Sequence, residues 1–219
     1  MIAPHIILAT GWILFCVFHS VLASLRFKKI AETRMRYRYK FYRLYYTLFA
    51  LASFTLVLIY QFTITSYSLF TPTRLSLKLG IIVAGFGLTI MCLCIVKYFM
   101  QLSGLKGLIE NRKENALMIT GVHRIVRHPL YAGTFIFIWG LLIVYPYLSL
   151  FITDAIITIY TLIGLKFEEK KMEREFGDAY KSYQQSVPMI IPRPPLYFPQ
   201  WRKPARKPGE EAIDKIENF

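Results

Sequence analysis

The segment Gly121–Tyr131, with the sequence GVHRIVRHPLY, concentrates side chains that can bind an anion. Two imidazoles and two guanidiniums fall within six positions: His123, Arg124, Arg127 and His128. Pro129 follows and predicts the start of a helix, because the first helical residue needs no N–H partner. Cationic side chains at a helix N-terminus are suited to a carboxylate or phosphate. Contact with anionic lipid headgroups is the alternative interpretation.

Two adjacent carboxylates, Glu168 and Glu169, follow the last apolar segment of the chain. The last two apolar segments predict a tight hairpin, so both of its ends return to one membrane surface. We therefore expect the carboxylates to face the Arg-His-Pro cluster at the membrane boundary. The alternative is that Glu168 pairs with Lys171 on its own helix, an arrangement worth only about a few tenths of a kcal/mol.

A ligand that carries both a carboxylate and an ammonium group would satisfy these two clusters together. The cationic side chains would bind its carboxylate, and Glu168 or Glu169 would bind its amino group. Amino-acid-like cofactors have both groups, and S-adenosylmethionine is one of them. The residues themselves do not choose between it and another zwitterion.

The composition argues that this site belongs to a membrane protein. Of 219 residues, 55% are hydrophobic and 18% are charged, whereas soluble domains have about 45–50% apolar and about 25% charged residues. This balance excludes an ordinary water-soluble enzyme. The net charge of +14 accompanies apolar runs near membrane-spanning length, which disfavours a nucleic-acid-binding domain.

Five apolar segments predict an all-α integral membrane bundle of five transmembrane helices: 6–24, 44–62, 79–99, 130–145 and 148–165. Pro146 separates the last two, which predicts a tight helical hairpin. A cytoplasmic helix over 166–185 and a Pro-rich tail should follow. We expect residues 1–165 to form the transmembrane domain, with a cytosolic cofactor loop at 100–130, and residues 166–219 to complete the site.

The distribution of positive charge predicts the orientation. Of the 27 Lys and Arg residues, 25 fall on one side of the five-span arrangement. The positive-inside rule then places the N-terminus outside and the C-terminus in the cytoplasm of an integral membrane protein, in a cytoplasmic or inner membrane. The three cysteines lie within predicted spans and form no Cys-x-x-Cys pair, so we expect neither a disulfide nor a metal site.

Polar residues inside the predicted spans are candidates for contact with a substrate. His19 and Ser20 lie near the cytoplasmic end of the first span, where a helix-to-helix hydrogen bond is the other interpretation. Asp154 lies in the outer half of the last span, far from the predicted site. A transporter is disfavoured because the chain shows no inverted repeat.

Two motifs resemble the integral-membrane methyltransferases, a superfamily that includes the isoprenylcysteine carboxyl methyltransferases and the phospholipid N-methyltransferases. The first is Gly121-Val-His-x-x-x-Arg-His-Pro-Leu-Tyr-x-Gly133. The second runs from Phe167-Glu-Glu through Phe176-Gly and the Tyr-x-x-Tyr pair to Val187-Pro188 and Ile191-Pro192. Within the superfamily, Phe18-His-Ser-Val-Leu-Ala23 adds a likeness to the NnrU-type proteins and bacterial methanethiol S-methyltransferases.

The resemblance implies S-adenosylmethionine bound on the cytosolic side. By position, it implies these cofactor-binding residues: Asn115, Ala116, Leu117, Met118, His123, His128, Pro129, Leu130, Tyr131 and Glu168. Arg127, His128 and Glu169 are the predicted catalytic residues, with Glu169 orienting or deprotonating the acceptor. The expected partners are the bilayer and a small or lipophilic methyl acceptor; neither a nucleic acid nor a protein partner is expected.

Departures from the family pattern bear on the acceptor. His123 stands where an aromatic hydroxyl is commoner, and Asn115 where the prenylcysteine enzymes have histidine; both retain hydrogen-bonding capacity. Gly164 stands where those enzymes place a substrate-contacting arginine. This favours a small or neutral lipophilic acceptor, with a thiol preferred. A prenylcysteine-type or phospholipid methyltransferase, and a non-enzymatic NnrU-like membrane protein, are the alternatives.

Overall fold

The computed structural model describes residues 2–102, 117, 119 and 121–193, and within them the fold is helical, without a β-strand. Seven α-helices occur in this part of the chain: α1 Ile2–Ala23, α2 Leu25–Met35, α3 Tyr42–Thr63, α4 Arg74–Leu102, α5 Pro129–Val144, α6 Leu148–Phe176 and α7 Asp178–Ser186. Short 3₁₀ helices cover Arg36–Phe41 and Gly121–Arg124. The predicted all-α class is confirmed for the described residues.

Four helical stretches among the described residues are long and apolar enough to cross a membrane: Ile2–Ala23, Leu25–Thr63, Arg74–Val96 and Leu148–Phe176. The segment predicted as the fourth of five spans is the shorter helix α5, with 16 residues. At 1.5 Å per residue it is about 24 Å long, less than the ~30 Å hydrocarbon core. The helices therefore support an integral membrane protein, with four long spans and one short apolar helix.

The boundary between α6 and the following helix differs from the sequence prediction. A helix over 166–185 was expected to be separate from the last span, but α6 continues without a break to Phe176. The residues after Leu165 are mostly Lys, Glu, Met and Arg, all strong helix formers. The break comes at Gly177, whose φ of 56° lies in the left-handed region that glycine adopts readily.

The chain divides into two compact units. The first comprises Met1–Thr89 and Gly133–Lys166, and the second comprises Ile90–Ala132 and Phe167–Phe219. In the first unit, Leu8 and Trp12 of α1 are fully buried. Glycine permits close packing of α4 and α5, because a Cβ added at Gly140 would lie 2.6 Å from the backbone nitrogen of Ala84.

The second unit has a small aromatic core of its own. Tyr180, Tyr183 and Val187 are buried there, and four partly buried side chains pack against them: Leu117, Ile119, Met172 and Phe176. Tyr180 and Tyr183 are three residues apart on α7, so they lie on one face of that helix. Their rings meet edge to face, with centroids 5.9 Å apart. This packing fixes α7 beside the end of α6.

Candidate functional site

The candidate site in the second unit is built around an ion pair between Arg127 and Glu169. Arg127 precedes α5, and Glu169 lies in the last third of α6. Two guanidinium nitrogens approach the same carboxylate oxygen, with Nη2 at 2.6 Å and Nε at 2.7 Å from Oε1. Both side chains are largely buried, at 9% and 12% exposed. The expectation that the Arg-His-Pro cluster would face the paired carboxylates is confirmed for these two residues.

The remaining guanidinium nitrogen of Arg127 holds the chain that follows α7. Its Nη1 donates to the backbone carbonyls of Gln184, at 3.1 Å, and Val187. Two backbone amides reinforce this contact: Arg127 N donates to Pro188 O at 2.9 Å, and His128 N donates to Met189 O at 3.0 Å. One side chain therefore joins the segment before α5, the end of α6 and the segment after α7.

The Glu169 carboxylate receives further hydrogen bonds from three side chains. His128 Nε2 lies 3.2 Å from Oε1, and Gln184 Nε2 lies 3.3 Å from Oε2. The Tyr180 hydroxyl donates to Oε1 at 3.4 Å. Burial, and then the Glu169 charge, raise the pKa of the Tyr180 phenol, so this hydroxyl remains a neutral donor at physiological pH. The carboxylate is thus surrounded by donors.

Glu168 differs sharply from its neighbour, because its side chain is exposed. Its Oε2 accepts a hydrogen bond from the Tyr131 hydroxyl at 3.3 Å. Tyr131 lies in the first turn of α5, two residues after Pro129, and its ring lies 5.9 Å from that of His128. An accessible carboxylate with one hydroxyl donor can accept further hydrogen bonds from an ammonium group.

His123 contacts the backbone of Arg127. Its Nδ1 is 3.1 Å from the carbonyl oxygen of Arg127, and its own carbonyl accepts a 2.6 Å hydrogen bond from the Tyr183 hydroxyl. These contacts tie the 3₁₀ turn Gly121–Arg124 to α7. Arg124, in the same turn, is exposed, and within the described residues it forms no ion pair.

The predicted cofactor-binding residues fall partly within the described chain. Pro129 is buried at the start of α5 and Leu130 follows it, half-buried. Leu117 packs against the aromatic core of the second unit. Asn115, Ala116 and Met118 lie outside the described residues.

The predicted substrate residues belong to the first unit. His19 of α1 meets Tyr46 of α3, whose hydroxyl is 3.1 Å from Nδ1 and 3.0 Å from Nε2. The Ser20 hydroxyl lies 3.0 Å from that of Tyr160 on α6. The predicted helix-to-helix hydrogen bonds are therefore present. Substrate contact by His19 or Ser20 remains a prediction.

Sequence reasoning gave no role to Gln184, although it contacts two acids of the site. Besides Glu169, its Nε2 donates to Glu173 Oε1 at 2.9 Å. The sequence identifies Tyr180 and Tyr183 only as part of a motif, whereas in the structure their hydroxyls donate to Glu169 Oε1 and His123 O. The relevant sequence signal is the spacing within α7. Tyr180, Tyr183 and Gln184 are separated by three and four residues, so they lie on one face of the helix.

The comparisons with known proteins address the same part of the chain. Residues 80–179 match the phospholipid methyltransferase family. The matched region includes the Arg-His-Pro segment, α5, both glutamates and the first residues of α7. The resemblance to the integral-membrane methyltransferases predicted from the sequence is confirmed.

Curated relatives of this chain carry two different names. A methanethiol S-methyltransferase from Pseudomonas sp. is 29% identical over 128 residues, which are 56% of this chain and 48% of the relative. Methanethiol S-methyltransferase 1 from Bradyrhizobium diazoefficiens is 37% identical over 71 residues, covering 32% and 24%. A protein-S-isoprenylcysteine O-methyltransferase from Schizosaccharomyces pombe is 29% identical over 84 residues, covering 38% and 36%.

The chain spans less than half the length of the first two relatives, at 48% and 42%. No solved structure matches this chain.

Proposed function

We propose that this chain is an S-adenosylmethionine-dependent membrane methyltransferase that modifies a small or lipophilic acceptor, with a thiol favoured. The exposed carboxylate of Glu168, hydrogen-bonded to Tyr131 inside the family-matched segment, carries this proposal. Relatives named methanethiol S-methyltransferase support a thiol as the acceptor.

The donor set of the second unit fits the amino-acid part of this cofactor. In our proposal, the Glu168 carboxylate accepts hydrogen bonds from the ammonium group of the cofactor. Tyr131 holds the Glu168 carboxylate in place and shapes the pocket. A cation is required for the cofactor carboxylate, and Arg127 is already engaged by Glu169 and two backbone carbonyls. His128 and the exposed Arg124 are the cationic or hydrogen-bonding groups that we assign to it.

We assign Glu169 a positioning role instead of the proton-accepting role that its place beside Glu168 suggested. Its Oε1 already accepts from two guanidinium nitrogens, and His128 and Tyr180 lie within 3.4 Å of the same atom. The hydrogen bond to Nε2 fixes the orientation of the His128 ring and leaves Nδ1 directed elsewhere. Arg127 then acts by fastening the segment after α7 to the site.

When bound, S-adenosylmethionine supplies a methyl group that its sulfonium already makes electrophilic. The protein needs to contribute mainly orientation and a site from which water is excluded. We retain His19 and Ser20 as proposed acceptor contacts, since paired polar side chains within apolar helices are costly and are often functional. Gly164 adds no side chain, which favours a small acceptor over a prenylcysteine.

We propose an orientation with the N-terminus outside and the C-terminus in the cytoplasm. The strongly unequal distribution of Lys and Arg between the connections supports it. The proposed cofactor site, between the 3₁₀ turn at Gly121 and the end of α6, would then face the cytosol. The short helix α5 would complete a five-span arrangement.

Titration calorimetry on the detergent-purified full chain tests the cofactor assignment. We expect Glu168→Gln to weaken binding of S-adenosylmethionine about tenfold or more, because a hydrogen bond to a charged group contributes about 1.5–3 kcal/mol. Glu175→Gln, an exposed acid on the same helix, is the matched control and should bind normally. Equal affinity in the Glu168→Gln variant and the original chain would refute the assignment.

A further inference from the structure

The first unit contains a cavity that the proposed methyl transfer does not use. It has a volume of about 640 Å³, within the range of small-molecule sites. The walls come from the end of α3 and the residues after it, the end of α5 and the start of α6: Gln61, Phe62, Ile64, Thr65, Ser66, Leu141, Tyr145, Tyr147, Ser149 and Leu150. Four of the wall residues are exposed: Phe62 at 82%, Thr65, Tyr145 at 57% and Tyr147 at 45%.

Gln61 presents a hydrogen-bond donor to this cavity. Its side chain is buried, and its Oε1 accepts a hydrogen bond from the Thr153 hydroxyl. That contact uses the carbonyl end of the amide. Among the described residues, its Nε2 has no hydrogen-bond acceptor. Gln61 is only 8% exposed, and a ligand oxygen in the cavity would accept the hydrogen bond that Nε2 does not make to these residues.

The other polar groups define what kind of ligand fits. The Ser66 hydroxyl is occupied, since it lies 3.0 Å from His5 Nε2 and accepts from Ser149 N at 2.9 Å. The lining includes no Asp, Glu, Lys or Arg. A charged headgroup would therefore find no counter-charge among the residues that form the walls, and its desolvation would go uncompensated.

We propose that this cavity binds an uncharged amphiphile, such as a neutral acyl ester, whose carbonyl oxygen accepts a hydrogen bond from Gln61 Nε2. Phe62, Ile64, Leu141 and Leu150 surround its acyl part. The exposed rings of Tyr145 and Tyr147 lie at the rim, where aromatic residues with polar tips are favoured at membrane interfaces. The site is independent of the proposed methyl transfer.

Photolabelling of the full chain in lipid nanodiscs tests this proposal. The three probes are a diazirine monoacylglycerol, which is a neutral ester, a diazirine fatty acid, which carries a carboxylate, and a diazirine alkane. We expect the neutral ester to label peptides covering 61–66 and 141–150, with competition by excess unlabelled monoacylglycerol. The proposal would be overturned if the alkane or the fatty acid labelled these peptides equally well, or if labelling were spread over all exposed helices. It would also be overturned if excess unlabelled monoacylglycerol did not reduce the labelling.

Two matched substitutions separate the hydrogen bond from the shape of the cavity. Gln61→Met keeps a similar volume and removes the donor, and we expect competition to weaken about three- to tenfold, the effect of one hydrogen bond. Thr153→Val removes the hydrogen bond to Gln61 Oε1 but keeps Nε2, and should label normally. Equal losses in both variants would refute the role of Nε2. The competition experiment on the unsubstituted chain decides the proposal even if a variant fails to fold.

Discussion

Arg127 approaches a single oxygen of Glu169 with two nitrogens, at 2.6 and 2.7 Å, while its third nitrogen contacts the carbonyls of Gln184 and Val187. The pair joins two residues that are 42 positions apart in the sequence. Removing one partner of a buried pair leaves an uncompensated charge, which is costlier than losing both. The pair is therefore the structural centre of the candidate site.

Glu169→Gln should strongly destabilise the second unit. The substitution leaves the Arg127 guanidinium buried without a counter-charge, at an expected cost of about 3–5 kcal/mol. Thermal unfolding of the detergent-purified chain measures the effect. Glu168→Gln is the control, because Glu168 is exposed and its substitution should leave the melting temperature nearly unchanged. If the two variants melted alike, the contrast between the two glutamates would be wrong.

Tyr180 should make stability depend on pH in the alkaline range. An unfolded tyrosine ionises near pH 10, whereas burial and the Glu169 charge raise the pKa of Tyr180 in the fold. Above pH about 10 the folded state retains a proton that the unfolded state has lost, so stability falls as pH rises; below it this contribution is fully present.

Melting temperatures at pH 9 and 11 would test this expectation. The loss between the two values should be smaller in Tyr180→Phe than in the original chain. Tyr145→Phe, at an exposed position, serves as the control and should follow the original chain. An unchanged loss in Tyr180→Phe would contradict the predicted linkage.

Gly140→Ala should destabilise the first unit, because the added methyl group would lie 2.6 Å from Ala84 N and 2.9 Å from its Cα. Overpacking of this kind costs about 1–3 kcal/mol. Gly85→Ala is matched, since a Cβ there meets nothing within 4 Å, and helix propensity should make it neutral or stabilising by up to about 1 kcal/mol. Melting curves compare the two. A lower melting temperature for Gly85→Ala than for Gly140→Ala would contradict the packing.

Gly164→Arg should fold normally, because the position is exposed and a Cβ there meets nothing within 4 Å. If Gly164 favours a small acceptor, the arginine should lower thiol methylation relative to a carboxylate-bearing prenylcysteine analogue. Gly164→Gln, of comparable length and uncharged, separates charge from bulk. The ratio of the two methylation rates is the measurement. An unchanged ratio in Gly164→Arg would show that position 164 does not determine the choice of acceptor.

The sequence predicted those parts of the structure that depend on local pattern and charge. The apolar runs located α1, α3, α4, α5 and the first part of α6, but not α2, and Pro129 and Pro146 marked an actual start and an interruption. The prediction that Arg127 and Glu169 face each other followed from placing their segments at the two ends of a hairpin. The helix positions depend on hydrophobic length and proline chemistry, which act within one segment.

The unequal roles of Glu168 and Glu169 could not be read from the sequence. Adjacent residues on a helix differ by about 100° in direction, so one can be buried and the other exposed, and the sequence does not say which. The answer depends on where α7 packs, and α7 is positioned by the bend at Gly177. The contacts of Gln184 were missed for the same reason, whereas the extension of α6 to Phe176 follows from the helix-forming residues after Leu165.

The most direct test of the central claim is methyl transfer by the purified full chain in nanodiscs, measured with methyl-labelled S-adenosylmethionine and methanethiol. We predict saturable formation of the methylated thiol, reduced at least tenfold in Glu168→Gln and unaffected in Glu175→Gln, with about tenfold corresponding to the loss of one charge-assisted hydrogen bond. Absence of transfer to methanethiol, or equal transfer by both variants, would contradict this claim.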